Sequence, residues 1–243
     1  MWPLAPKQIL AIWEQGNLRC LTERAYMLLA AALPEAETEQ LLSMSVGKRD
    51  DYLLRLRAAT IADRIEGYAE CTRCGERLSF SVRTNDIVLM DSDFQSAEHH
   101  REIHGYNVWF RLISVADLLA VRGSTEVERV RRILIRRCVL KAEKNSSAVS
   151  VSSLSAETIE KIGEAVREYD AHAELRFHMA CPTCGHQWSA SFDIVSFFWK
   201  ELSTRAQHFL REVATIASAY GWSEAEILGM SAEKRRLYLE LAG

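Results

Sequence analysis

The sequence contains one short cysteine motif twice, at Cys71–Gly75 and again at Cys181–Gly185. In both copies two residues separate the cysteines, and a glycine follows the second one. Each copy continues into a stretch where apolar and polar residues alternate, which is the pattern of a β-strand. Two thiols on a tight turn form half of a tetrahedral metal site, so two such turns supply the four sulfurs of a closed structural zinc site. The predicted Zn²⁺ ligands are Cys71, Cys74, Cys181 and Cys184.

Two other interpretations of the cysteine motif remain open. The copies are about 110 residues apart, much farther than in a compact zinc ribbon, which leaves two independent thiol pairs as one alternative. A redox-active pair is the other, but such a pair is expected at a helix N-terminus, where the helix dipole lowers the thiol pKa. Predicted strands follow both pairs here, which favours the shared zinc site. Because four sulfurs leave no open coordination position, we expect the site to stabilise the fold and not to catalyse.

Charge and cysteine usage restrict the class of protein. The 243 residues carry a formal net charge of −3 and the pI is near 6.2, whereas general nucleic-acid binders are strongly basic. Residues 1–6 lack the features of a signal peptide, and no stretch approaches the ~20 apolar residues of a membrane helix. Six cysteines without an export signal indicate reduced thiols and a cytoplasmic protein. Cys20 and Cys138 lie in apolar helical contexts and are predicted to be core residues.

Hydrophobic periodicity predicts an α+β protein that is mainly helical. Residues 1–66 and 196–243 are predicted to be helical regions at the two ends of the chain. Between them, residues 67–113 and 172–195 are predicted to form a small zinc-ribbon-like β module that contains both cysteine knuckles. Residues 114–171 are predicted to be a helical insertion between the knuckles. Within or beside these regions, residues 91–101 read as a polar loop, and the serine-rich residues 145–153 read as a linker.

The histidine-rich segment His99–His104 invites comparison with a metalloprotease site. The zincin motif requires a glutamate directly after the first histidine, and Glu102 comes too late. The segment also precedes a predicted strand, so a polar loop is the simpler interpretation. No glycine-rich phosphate loop, nucleophile elbow or recognisable carboxylate pair occurs in the sequence. The sequence therefore predicts no enzymatic activity.

A stripe of arginines is predicted on one face of the helix that begins near Thr125. Its members are Arg129, Arg132 and Arg136. Such a stripe can bind anions, but it is more often a solvated face, and we expect Glu126 and Glu128 to neutralise it. The functional alternative is a zinc-ribbon protein that binds nucleic acid through these arginines.

A second internal similarity links Met44–Leu53 to Met230–Leu239, which agree at six of ten positions. In both segments a serine is predicted to cap a helix that carries a Lys-Arg pair. A favoured helix cap that recurs is the simpler explanation. A duplicated docking element, with the Lys-Arg pairs facing a partner, is the alternative.

The chain resembles a family encoded in phage tail and contractile injection gene clusters. Four segments carry the resemblance: Gly47–Arg57, Cys181–Trp188, Ser196–Leu202 and Tyr220–Leu228. Members are described as baseplate proteins or as baseplate hub assembly chaperones of T-even-type phages, and many carry the cysteine pairs. The likeness is loose between residues 90 and 170, and Ala58–Ile61 replaces the aromatic–glycine ending of the early motif.

The resemblance implies a non-enzymatic, protein-binding accessory of baseplate assembly, either a transient chaperone or a minor subunit. The implied partner is a baseplate hub or spike protein. The implied location is the cytoplasm of the host or producer cell, or a tail-like particle. Exposed apolar surface near Trp2, Trp13 and Trp222 is predicted to be the contact area.

Overall fold

The computed structural model describes residues 2–87 and 98–242, and most of the polar loop predicted over residues 91–101 lies outside these ranges. The helices within them are α1 (Pro6–Gly16), α2 (Leu21–Ala32), α3 (Thr38–Ser43), α4 (Val46–Thr60), α5 (Val115–Ala120), α6 (Val127–Cys138), α7 (Ala156–Tyr169), α8 (Ile194–Tyr220), α9 (Glu224–Leu228) and α10 (Ala232–Ala242). The strands are β1 (Arg64–Glu70), β2 (Arg77–Arg83), β3 (His99–Ile103), β4 (Tyr106–Phe110), β5 (Val139–Lys144), β6 (Ser147–Ala148), β7 (Arg176–Ala180) and β8 (Gln187–Ser191). The predicted mixture of mainly helical structure with small β elements is confirmed.

The N-terminal helices and α8 share one hydrophobic core. Its fully buried side chains from α4 and α8 include Leu53, Leu54, Leu56, Phe198 and Leu202. Gly16 permits α1 to lie close to α8, because a Cβ at this position would be 2.2 Å from the Trp199 ring. The helical regions predicted at the two ends of the chain therefore pack on one another.

A buried arginine joins α4 to α8. Arg57 is 2% exposed, and its Nε and Nη2 each donate to the Glu201 carboxylate at 2.7 Å. Its Nη1 donates to the carbonyl oxygen of Ala62 at 2.8 Å, and its guanidinium lies 5.3 Å from the centroid of the Phe197 ring. These contacts fix the path of the chain from α4 into β1.

Residues between the two cysteine motifs form their own sheet and core. The sheet order is β3–β4–β5–β6, with every pair antiparallel. Val108 and Phe110 of β4 are fully buried, and they share a core with Ile135 of α6 and Ile162 of α7. Because this core holds β4, the strand predicted beside the first cysteine hairpin pairs instead with β3 and β5. The insertion is therefore a mixed unit and not wholly helical.

Of the serine-rich segment predicted as a linker, residues 145–148 are part of this sheet, whereas Val151–Ser153 form a short 3-10 helix. Asn145 and Ser146 form the turn between β5 and β6, with φ of 50° and 64°. Small polar residues suit both a linker and a turn, and asparagine is one of the non-glycine residues that most often adopt the left-handed region. Because β5 pairs with β4, the chain turns back at Asn145 and Ser146 and does not continue as a linker.

The insertion is tied to the joint between α3 and α4. The Val115 N–H donates to the Met44 carbonyl oxygen at 3.0 Å. Asp170, at the end of α7, accepts from the Gly47 N–H at 3.1 Å, and burial raises the pKa of this carboxyl. A Cβ at Gly47 would lie 2.0 Å from the Asp170 carboxylate, so the close approach requires glycine.

The helices that follow the repeated Met-Ser pairs, α4 and α10, are capped alike. In each, the serine hydroxyl accepts a backbone N–H three residues later at 3.2 Å. The arginines of the repeat are buried: Arg49 is 7% exposed and pairs with Asp50 at 2.7 Å, while Arg235 is 4% exposed and pairs with Glu212 at 3.1 Å. Because both arginines are used inside the chain, the recurring cap is the better explanation.

Of the two cysteines outside the motifs, Cys138 is fully buried as predicted, but the prediction that Cys20 is a core residue is wrong. Cys20 is exposed because it is the N-cap of α2, where its N–H donates to the Glu23 carboxylate at 3.0 Å.

Candidate metal centre

Each cysteine motif is the turn of a two-stranded antiparallel hairpin, β1–β2 or β7–β8. In the first turn the Cys71 N–H donates to the Glu76 carbonyl oxygen at 2.8 Å, and the Gly75 N–H donates back to Cys71 at 2.9 Å. The second turn repeats both bonds at 2.9 Å. Gly75 and Gly185 have φ of 75° and 67°, a region that glycine adopts without strain, which explains the glycine in both motifs.

The two turns bring four sulfurs together. Cys71 Sγ lies 3.7 Å from Cys184 Sγ, and Cys74 Sγ lies 3.6 Å from Cys181 Sγ. All four Sγ atoms lie within 4.8 Å of one another. Among the residues that the structure describes, no other group of His, Cys, Asp or Glu side chains is gathered in this way.

The spacing of the sulfurs fits a tetrahedral metal ion. With Zn–S bonds of about 2.3 Å, the edge of a regular tetrahedron of sulfurs is about 3.8 Å. The two measured Sγ–Sγ distances, 3.7 and 3.6 Å, are close to this edge. A disulfide would require about 2.05 Å, so the arrangement is one of four separate thiols.

Ionisation of these thiols is unequal. Burial raises the pKa of Cys71, but the backbone N–H groups of Arg73 and Cys74 donate to its sulfur, and the pKa falls to about 7. The backbone N–H of Glu76 lowers the pKa of Cys74, but the neighbouring sulfurs and burial outweigh this effect and raise it to about 12. Four thiolates this close repel one another, so a divalent cation is the counter-charge that would let all of them ionise.

A row of aromatic rings connects the hairpins to the helical core. Phe80 of β2 packs on Phe177 of β7 at 5.4 Å between ring centroids. Phe177 packs on Phe192, and Phe192 on Phe197 of α8, both at 5.2 Å. Gly67 leaves room for this row, because a Cβ there would lie 2.6 Å from the Phe80 ring. The hairpins are thus joined at their bases by aromatic packing and at their turns by the sulfur cluster.

One further contact crosses between the turns. Thr72 Oγ1 and His186 Nε2 are 3.1 Å apart, and the His186 ring stacks on Trp188 with centroids 6.0 Å apart. The sequence gives no indication of this contact, because Thr72 and His186 lie on different hairpins. The contact lies at the edge of the sulfur cluster and helps to hold the two turns in position relative to each other.

The histidine-rich segment is part of β3 and the turn that follows it. The His99 ring packs at 4.4 Å on an aromatic ring of α7, and His100 Nε2 lies 3.0 Å from Asn107 Oδ1. His104 Nδ1 lies 3.2 Å from Thr158 Oγ1. Each imidazole has its own structural contact, and the prediction of a polar loop is wrong for this segment because it pairs with β4 as a strand.

The tryptophans predicted to mark a contact area differ in exposure. Trp2 is 71% exposed, whereas Trp13 and Trp222 are half-buried. Trp222 packs between Tyr220 and Tyr238, with ring centroids 4.8 and 4.7 Å away. Of the three, Trp2 is the one with most of its surface open to a partner.

None of the helices in the described ranges combines the length and apolarity that crossing a bilayer requires.

Comparison with known proteins identifies a family that the chain matches. A protein-family model described as "T4 bacteriophage base plate protein" matches residues 7–199. No curated protein and no solved structure matches the chain. The matched range contains both hairpins, all four clustered cysteines and the insertion between them, whereas α9 and α10 lie beyond it.

Proposed function

Because the chain belongs to the T4 bacteriophage base plate protein family, we propose that it is a non-enzymatic, protein-binding accessory of the baseplate hub. In this role it acts as an assembly chaperone or as a minor subunit, in the producer cell's cytoplasm or in the tail-like particle. The match over residues 7–199 is the observation that carries the proposal, since it spans most of the chain.

The sulfur cluster is proposed to hold one structural zinc ion. Its four ligands are Cys71, Cys74, Cys181 and Cys184. Their spacing fits a tetrahedral ion, and thiolate donors favour zinc over hard cations such as Mg²⁺ or Ca²⁺. When bound, the ion supplies positive charge and four metal–sulfur bonds. With four protein ligands it has no position for a substrate, so its contribution is to stability.

The protein's own residues position the cluster for that structural role. Gly75 and Gly185 allow the two turns to close, and the aromatic row from Phe80 to Phe197 connects them to α8. The zinc therefore joins the entrance and the exit of the insertion at one point. An adaptor that must present two packed units to partners in a fixed relation gains rigidity from such a joint.

The experiment that tests the proposal compares the soluble pool with purified sheathed particles after pull-down of the tagged chain from its native locus. Recovery of a hub or spike protein from the pool, with the chain absent from particles, identifies an assembly chaperone. A fixed stoichiometry in particles identifies a minor subunit. Recovery of nucleic acid without any tail protein contradicts the proposal.

A nucleic-acid-binding zinc ribbon is the second candidate, because α6 exposes Arg129, Arg132 and Arg136. Binding through phosphate contacts weakens steeply with salt, by roughly one power of the salt concentration for each contact. Titration with duplex DNA at several salt concentrations therefore separates the two candidates. Binding that ignores salt, or no binding, excludes the second one.

A further inference from the structure

Helix α6 presents an outward face on which three arginines surround an isoleucine. Ile133 is 36% exposed; it lies one helical turn from Arg129 and Arg136 and directly follows Arg132 in the sequence. All three arginines are exposed. The arginines extend over about 10 Å along the helix axis, given a rise of about 1.5 Å per residue. We call these four residues the α6 face.

The charges on this face are not neutralised within the described chain. The other two arginines of α6 are paired: Arg131 with Glu160 at 3.3 Å, and Arg137, one helical turn from Ile133, with Asp117 at 2.7 Å. No carboxylate of the described residues pairs with the three arginines of the α6 face. Glu126 and Glu128, which the sequence offers as neutralising neighbours, do not do so.

Only one of the three arginines has a hydrogen bond in the described residues. Arg132 Nε donates to the backbone carbonyl oxygen of Glu128 at 3.3 Å. That contact leaves most of its guanidinium donors available. The face thus combines an aliphatic side chain with unused guanidinium groups, which bind carboxylates and are enriched in interface hot spots.

We propose that the α6 face is a docking site for an acidic, partly apolar protein surface on another baseplate component. The two paired arginines of the same helix, Arg131 and Arg137, show that carboxylates satisfy its guanidinium groups. A phosphate backbone would use the arginines but would have no use for Ile133, so the central isoleucine favours a protein partner. This inference rests on the proposed function and names the chemistry of the partner that the function requires.

The test measures binding of purified baseplate proteins from the same gene cluster, one at a time, by biolayer interferometry. The charge-reversal variant is Arg129→Glu with Arg136→Glu. Its matched control is Arg205→Glu with Arg211→Glu, which makes the same change of charge at exposed positions of α8. Ile133→Ser tests the apolar centre. Circular dichroism and the melting temperature verify that each variant is folded.

We expect one baseplate protein to bind the wild type and to lose affinity at least tenfold, about 1.4 kcal/mol, in the charge-reversal variant. Ile133→Ser should weaken the same complex by roughly threefold or more, and the α8 control should stay within about twofold. Equal affinity for the charge-reversal variant and the control overturns the inference and leaves the proposed function intact. If no baseplate protein binds the wild type, both fall.

Two further measurements identify other occupants. A fluorescein-labelled DNA duplex that binds the wild type and loses affinity in the charge-reversal variant, while protein binding is unchanged, makes the face a nucleic-acid site. A mass by light scattering that rises with concentration for the wild type and not for the variant makes the occupant a second copy of the chain. Either result overturns docking of an acidic partner at this face.

Discussion

Replacing Cys181 by serine removes one of the four sulfurs in the cluster and alters no other side chain of the turn. Cys181 is 3% exposed, and its sulfur lies 3.6 Å from that of Cys74. A serine hydroxyl does not ionise at neutral pH and is a poor zinc ligand. The substitution therefore tests the metal site with a change of a single atom.

The expected loss follows from the energy of structural zinc binding. That energy is on the order of 10 kcal/mol in small zinc domains, so one sulfur in four accounts for about 2.5 kcal/mol, or roughly 70-fold in affinity. The effect on the fold should be local. Each hairpin has two strands, which is marginal alone, but aromatic packing at Phe80 and Phe192 still attaches their bases to the helical core.

The assay combines zinc competition with a chelator and hydrogen exchange of residues 71–76 and 181–186. Amide protection in both turns should fall in Cys181→Ser, because their hydrogen bonds are then no longer held by the metal, while protection in α4 and α8 should stay. Cys20→Ser is the matched control, since Cys20 is an exposed thiol outside the cluster. Wild-type zinc affinity in Cys181→Ser, or turns that exchange alike with and without zinc, would refute the four-sulfur site.

Three other substitutions test contacts elsewhere. Arg57→Met leaves Glu201 without its partner and should cost about 3 kcal/mol in urea denaturation, with exposed Arg205→Met as the near-neutral control. Burial raises the pKa of Asp117, but hydrogen bonds from arginines and a serine outweigh it, so the pKa of this carboxyl is lower in the folded than in the unfolded protein. The ionised Asp117 therefore stabilises the fold fully above its unfolded pKa, and this stabilisation is lost as the pH falls through its folded pKa. The stability difference between wild type and Asp117→Asn, measured by thermal melts, should therefore shrink below about pH 4. Gly185→Ala places a Cβ at a φ of 67° and should lower stability by about 1 kcal/mol and weaken zinc retention; an unchanged melting temperature would contradict this.

The parts of the fold that could be predicted from the sequence are those that local pattern determines. The Cys-x-x-Cys-Gly turns and their alternating flanks predicted both hairpins. Ser114 and Asp117, three residues apart, form the cap of α5, where the hydroxyl and the carboxylate each accept a backbone N–H. These features depend on residues within a few positions of one another, so a single sequence is enough to predict them.

The parts that could not be predicted depend on distant partners. Arg57 reads as one more charge on a helix, and its burial follows from Glu201, 144 residues away. The sequence predicts a helix whose end overlaps the start of β5 and a linker that begins just after it, and pairing with β4 is what makes these residues a strand. The α6 face was visible as a stripe of arginines, but the sequence pattern alone could not show that its nearby glutamates leave it unpaired.

The distance along the chain between the two cysteine pairs means that the ribosome synthesises the first pair well before the second. At about 5–20 residues per second, the ribosome needs roughly 5–20 s to extend the chain from the first pair to the second. The segment of α8 that completes the helical core follows the second pair, so α1, α2 and α4 also wait for it. During this interval the nascent chain exposes two thiols and an unfinished apolar surface, and its folding must finish after most of the protein has left the ribosome.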